Sequence, residues 1–254
     1  DSPIYHACFL RGASARGMAV GFPQRKHLTF DYENLRLDSL WYGDFVNVAA
    51  TWDGRAGGLV QPGGDGILSL PPGGLVAELE SPTSPWPTAE GRPPGWRLLG
   101  HRRSPEGLPT FRYAKGDLVI EESLRPVIGP GGHFVRTIRV HGAPKDGLYL
   151  RIGAAQDVAL SSSMIKLMGP GLIDGEAMGE VRLSLFGGDA PLGEGIQVAD
   201  LPTRAPDQGS RRYLMEKSGT AWRNEPIPGA TSEVVVPITP DGDGAFAIQV
   251  SIQW

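Results

Sequence analysis

Cysteine is almost missing from this chain: Cys8 is the single one in 254 residues. That excludes an internal disulfide and any metal centre built on several thiolates. Long apolar runs are missing too. No stretch of 18 apolar residues exists, so no segment reads as a membrane-spanning helix. The context Tyr5-His6-Ala7-Cys8 lacks the small residues of a lipid-anchoring signal, and the polar start at Asp1 is what removal of an export signal would leave. A third absence is an excess of one charge. The 24 basic and 28 acidic side chains give a formal charge of −4 with both signs interspersed, which offers no expectation of a broad basic field for phosphates or anionic lipid. Neither nucleic acid nor a membrane surface is therefore an expected partner. Arginine outnumbers lysine 19 to 5, and genome composition accounts for that as readily as a need for bidentate donors does.

Catalytic signatures are equally thin. The string nearest to a nucleophile elbow, Gly12-Ala13-Ser14-Ala15-Arg16-Gly17, has the wrong spacing and no helix after it. There is no P-loop and no dinucleotide fingerprint; Gly129-Pro130-Gly131-Gly132 reads as a turn. The histidines His6, His27, His101, His133 and His141 form no His-x-His or His-Glu-x-x-His pair, so the fold would have to assemble any metal site. His6 and Cys8, two residues apart, would point to one side of an extended strand and are the weak metal candidates; a small buried thiol is the ordinary alternative. Met164, Met168, Met178 and Met215 read as core filler rather than soft copper ligands. Asp241-Gly242-Asp243-Gly244 lacks the remaining oxygen ligands of a calcium loop. No cofactor is expected.

What the sequence does hold is strand signal. Short alternating runs bounded by Gly, Pro, Asn or Asp recur at His27–Tyr32, Leu35–Trp41, Thr110–Tyr113, Leu118–Glu122, Phe134–Val140, Leu148–Ile152 and Val181–Phe186. A closing hairpin is expected from Val234–Ile238 and Ala245–Trp254 around the turn 239–244, with Phe246, Ile248, Val250 and Ile252 inward. Stretches 71–74, 82–94 and 187–206 are rich in Pro and Gly and read as long surface loops. The best helical candidate, Ser161–Met168, is short and stopped by Gly169-Pro170. With 36 Gly, 23 Pro and 40 % hydrophobic residues, the expected fold class is all-β: a large antiparallel β-sandwich, in its larger form a mutarotase-like supersandwich, as one domain over residues 1–254.

Asp31, Asp38, Asp44, Asp53 and Asp65 lie among the aromatics Trp41, Tyr42, Phe45, Trp52, Trp86 and Trp96. That region could stack sugars beside paired carboxylates, or it could form an aromatic interface; core placement of Trp41 and Trp52 is the plainer alternative.

The strings Gly17-Met-Ala-Val-Gly-Phe22, Leu28-Thr-Phe-Asp31, Leu37-Asp-Ser-Leu-Trp41, Gly43-Asp-Phe45 and Trp52-Asp-Gly-Arg55 resemble a β-rich domain of secreted proteins from Planctomycetes and related bacteria. There the domain accompanies c-type cytochrome and dehydrogenase-like domains. The resemblance extends through Gly95–Leu98, Pro109–Tyr113, Val119–Leu124 and Val135–Arg139 and, more weakly, to the strand ending in Trp254. It implies a periplasmic or extracellular, non-catalytic accessory subunit that docks on a haem-bearing or membrane redox complex, respiratory or photosynthetic. With no Cys-x-x-Cys-His sequence, the chain is not itself the cytochrome. The expected interface anchors are Trp86, Trp96, Arg102 and Arg103. The competing expectation is a carbohydrate-binding or carbohydrate-active sandwich.

Overall fold

The computed structural model describes residues 2–10, 12–49, 59–87, 92–161, 164–187, 190–191, 197–200, 211–216, 219–224, 227 and 229–254. Strands carry nearly all of its regular structure. A five-stranded sheet holds β1 (Ile4–Cys8), β2 (Gly17–Phe22), β3 (Lys26–Asp31), β4 (Arg36–Tyr42) and, after the ribbon β5 (Val46–Asn47) and β6 (Gln61–Pro62), β7 (Asp65–Ser69). A four-stranded sheet runs in the order β18 (Gln197–Asp200), β21 (Ser232–Pro237), β13 (Leu148–Ala155), β8 (Val76–Glu78).

The largest sheet has nine strands. Its spatial order is β14 (Asp157–Leu160), β15 (Ile165–Gly169), β16 (Gly179–Gly187), β22 (Phe246–Gln253), β12 (His133–His141), β11 (Leu118–Pro126), β10 (Pro109–Lys115), β9 (Arg97–Arg103), with β17 (Ala190–Pro191) beside β16. Strands β19 (Arg211–Glu216) and β20 (Gly219–Asn224) pair with each other. All pairings between these strands are antiparallel. This is the all-β, sandwich-like architecture expected from the alternation.

One core is shared by the three large sheets: Leu28 and Phe30 enter it from the five-stranded sheet, Ile120 and Ile138 from the nine-stranded one, Leu150 and Val234 from the four-stranded one. Phe30 stacks on Phe111 with ring centroids 4.1 Å apart, joining the five-stranded sheet to the β9–β12 half of the largest. Each such buried aromatic contributes about 2–3 kcal/mol, and the ring pair about 1 more. At the other half, a Cβ on Gly153 of β13 would come within 2.6 Å of the Leu167 side chain. Glycine there lets β13 lie close over β15.

The two smaller sheets are covered on their outer faces as well. Leu10, Val60, Phe45 and Val46 close over Ala19 and Trp41 of the five-stranded sheet. Trp86 closes over Ala77 and Val235 of the four-stranded sheet. The outer face of the nine-stranded sheet stays open: on β11 and β12 buried residues alternate with half-buried or exposed ones, the one-sided pattern of a solvated sheet.

Three local expectations are corrected. The last two strands form no hairpin with each other, because β21 pairs with β13 and β18 while β22 pairs with β12 and β16. The turn between them carries the chain from one sheet to the other. It is tied by the Asp241 carboxylate, which accepts from the backbone N–H groups of Asp243 and Ala245 at 3.0 and 2.9 Å. Both arms are inward-apolar, so facing each other across the core buries more than lying side by side. The helical candidate around Ser161–Met168 is instead the β14–β15 hairpin, closed by Ser161 N–H to Met164 O at 2.9 Å; residues 162–163 lie outside the described residues. Within 187–206, Gln197–Asp200 is a strand rather than loop.

Candidate binding face

Of the expected interface anchors, Trp86 is corrected first. It is 2 % exposed, donates its indole N–H to Gly74 O at 3.0 Å and lies under the Arg151 guanidinium, 4.9 Å from its ring. A side chain so enclosed anchors residues 82–87 to their own sheet and presents little surface to a partner. Trp96 is half-buried against the main core, its ring 5.6 Å from Tyr113. Arg102 and Arg103 are exposed. The Arg103 guanidinium sits 3.7 Å over the Tyr5 ring, and Tyr5 stacks on His101. His101 Nδ1 in turn shares a 2.7 Å hydrogen bond with the Tyr32 hydroxyl. Burial, and after it the neighbouring Tyr5, pushes the Tyr32 phenol up to about 12.

The metal candidates His6 and Cys8 share a face of β1, as their spacing requires, and both are half-buried. Burial raises the Cys8 thiol to about 11, far from thiolate character at neutral pH. No group of three or more His, Cys, Asp or Glu that could hold a metal occurs among the described residues.

The candidate carboxylates have structural partners. Asp31, fully buried, accepts from Ser14 N–H and Oγ at 2.8 and 2.5 Å and from Asn34 Nδ2 at 2.5 Å. It also accepts from the backbone N–H groups of Glu33 and Asn34. It locks the β3–β4 turn onto the loop after β1, which leaves Ser14 a structural donor rather than a nucleophile. Asp38 pairs with Arg36 at 2.5 Å and Asp44 with Arg25 at 2.8 Å. Asp65 is exposed on β7. Trp41 is buried core, and Trp52, Asp53 and Arg55 lie outside the described residues. His27 Nε2 donates to Gly43 O at 3.0 Å, while its Nδ1, with Thr29 Oγ1 and Ser39 Oγ on the same sheet face, is buried without a hydrogen-bond partner among the described residues.

The nine-stranded sheet assembles what no short motif could show. Strand register aligns Arg102, Thr110, Ser123, Thr137, Gln249 and Phe186 in one transverse row across its open face. A neighbouring row holds Arg112, Glu121 and Arg139, and the row on the other side holds Arg125, Val135, Ser251 and Ser184. Lys166 and Arg182 are register partners farther along. These six cations therefore share the face with three carboxylates: Glu121, Glu180 and, on the edge strand β14, the exposed Asp157, which follows Met168 in the row of Glu180. Glu121 is paired with Arg112 at 2.8 Å. Glu180 binds Arg182 and Lys166 at 2.7 and 3.2 Å, hydrogen bonds that hold its carboxyl below the ordinary range. Arg102, Arg125 and Arg139 are exposed and have no ion pair among the described residues. Strand spacing and rise put them about 12 to 16 Å apart around the hydroxyls of Ser123 and Thr137. Charges interspersed in sequence are thus segregated in space, on a chain whose formal charge is −4.

No family model and no curated protein matches the chain. Among solved structures it is similar to a heparinase III gene product: 10 % identity over 98 % of this chain and 36 % of that one, with a TM-score of 0.41. A second structure of that product, with methylated lysines, gives 10 % identity, 98 % and 35 % coverage and a TM-score of 0.40. The chain spans about a third of the length of the solved chains it matches.

Proposed function

We propose that this chain is a non-catalytic binding module that engages an anionic partner through the open face of its nine-stranded sheet. The observation that carries this reading is the set of three exposed arginines, Arg102, Arg125 and Arg139, which have no ion pair among the described residues, on a face where Glu121 and Glu180 are already paired and the remaining acid, Asp157, stands on the far edge strand. Such a face focuses a positive potential and steers an anion toward it even when the whole molecule is acidic. Docking on a haem-bearing redox assembly after export, the partner and location implied by the sequence resemblance, fits this reading where the assembly presents an acidic surface. Arg102 is then its anchor, while Arg103, on the other side of β9 over the Tyr5 ring, and the buried Trp86 have no part in it.

Retention on a sulfonate cation exchanger at neutral pH and low salt tests the face itself. The protein is expected to bind the resin despite its sequence pI of about 5.8. The triple variant Arg102→Gln, Arg125→Gln, Arg139→Gln is expected to pass straight through with an unchanged circular-dichroism spectrum. If the native protein also passes through, there is no functional basic face.

A further inference from the structure

Resting on that reading, we infer that the occupant of the face is an acidic polysaccharide. The cations alone do not choose among polyanions; the side chains between them do. The row between Arg102 and Phe186 consists of Thr110, Ser123, Thr137 and Gln249, with Ser251 and Ser184 in the row beside it. None of the side chains of Thr110, Ser123, Thr137 and Gln249 is engaged in a hydrogen bond with another described residue. By contrast, Ser251 Oγ already bonds His133 Nε2 at 2.9 Å. Four ready hydroxyl and amide groups in line, ringed by three unpaired guanidinium groups, are complementary to a chain that displays many hydroxyls and a carboxylate or sulfate at intervals. Guanidinium forks pair with such oxyanions bidentately. The Ser and Thr hydroxyls both donate and accept, and so match sugar hydroxyls in either sense.

Other polyanions fit less well. A protein partner makes its strongest contacts through desolvated aromatic and apolar anchors, and the centre of this face has none; Phe186 stands at its margin, and the flanking rows add only Val135 and the small Ala247. Single-stranded nucleic acid is held by aromatic platforms on which bases stack, and the central rows offer no exposed ring.

Calorimetric titration at physiological ionic strength decides between them. The probes are polygalacturonate, alginate, chondroitin sulfate, carboxyl-reduced polygalacturonate, poly-L-glutamate and oligodeoxythymidine. At least one of the acidic glycans is expected to bind about tenfold or more tightly than poly-L-glutamate or oligodeoxythymidine at matched charge, and the carboxyl-reduced chain not to bind. The double variant Thr110→Val, Thr137→Val keeps β-branched side chains on the sheet and is expected to weaken glycan binding about tenfold while leaving cation-exchange retention unchanged. Equal or tighter binding of poly-L-glutamate would assign the face to an acidic protein, and of oligodeoxythymidine to nucleic acid; either result overturns the inference. So does retention on the exchanger with no glycan bound, and in that case the basic-face reading survives. Loss of retention as well removes both.

Discussion

Charge is also placed where water cannot reach it. Glu122, on the inner face of β11, is fully buried. Its Oε1 accepts from Arg136 Nε and Nη2 at 2.9 and 2.8 Å, and its Oε2 from the Tyr113 hydroxyl at 3.3 Å. Burial first, and then the Glu122 charge, lifts the Tyr113 phenol well above its ordinary value, so the phenol is a donor at neutral pH. A buried pair of this kind contributes little net stability over an apolar substitute, but removing one partner strands the other. Arg136→Met alone is expected to cost about 3–5 kcal/mol in urea unfolding. Adding Glu122→Met should return most of that loss. Independent, additive losses in the double variant would show that the two side chains do not act as a unit.

Individual strands were legible because each β-strand states its own faces: Phe246, Ile248, Val250 and Ile252 alternate with polar residues, and the structure buries the last three and half-buries Phe246. Which strands neighbour one another is not written in that alternation. Period two fixes the face and says nothing of the partner, so the arms flanking Asp241 read as a hairpin although they belong to different sheets. The open face escaped the sequence for the same reason: Arg102, Arg125 and Arg139 stand singly on three strands, and only register brings them around Ser123 and Thr137. Trp86 and Trp96 carried an exposed reading because aromatic type is visible in sequence and burial is not.

Sheet pairing also explains the position of Trp254. It exchanges backbone hydrogen bonds with Gly132 at 2.9 and 3.0 Å, and its indole donates to Gly66 O of β7 at 2.6 Å. Its ring stacks on Phe134. One side chain thus clasps the five-stranded sheet to the nine-stranded one. A Cβ on Gly132 would lie 2.1 Å from that ring. Gly132→Ala is therefore expected to expel the indole, speeding exchange of the Trp254 Nε1 proton in NMR spectra and lowering stability by about 2 kcal/mol. An indole proton as protected as in the native protein would show the clasp to be dispensable.

At the scale of the whole molecule, three histidines bias stability in one direction. Burial depresses His27, His101 and His133 below the ordinary 6.5, with Arg103 adding to the effect at His101 and Lys26 and Arg125 at His133. Each is more easily protonated in the unfolded chain than in the fold. Between the depressed and the ordinary value the unfolded state binds more protons, so this contribution is intact above about pH 6.5 and declines as the pH falls below it. Urea midpoints are expected to drop on acidification through that window. His27→Gln keeps a donor for Gly43 and should flatten the drop, since His27 is only 4 % exposed; an unchanged slope would point to the other two histidines.

The placement of β22 also bears on how the protein is made. Its two neighbours, β12 and β16, are synthesised well before it, and each must wait with an unsatisfied row of amides and carbonyls until residues 246–253 leave the ribosome. The largest sheet exists until then as two separate pieces with sticky inner edges. A chain that stops short of residue 246 is therefore expected to expose two strand edges in the middle of its largest sheet.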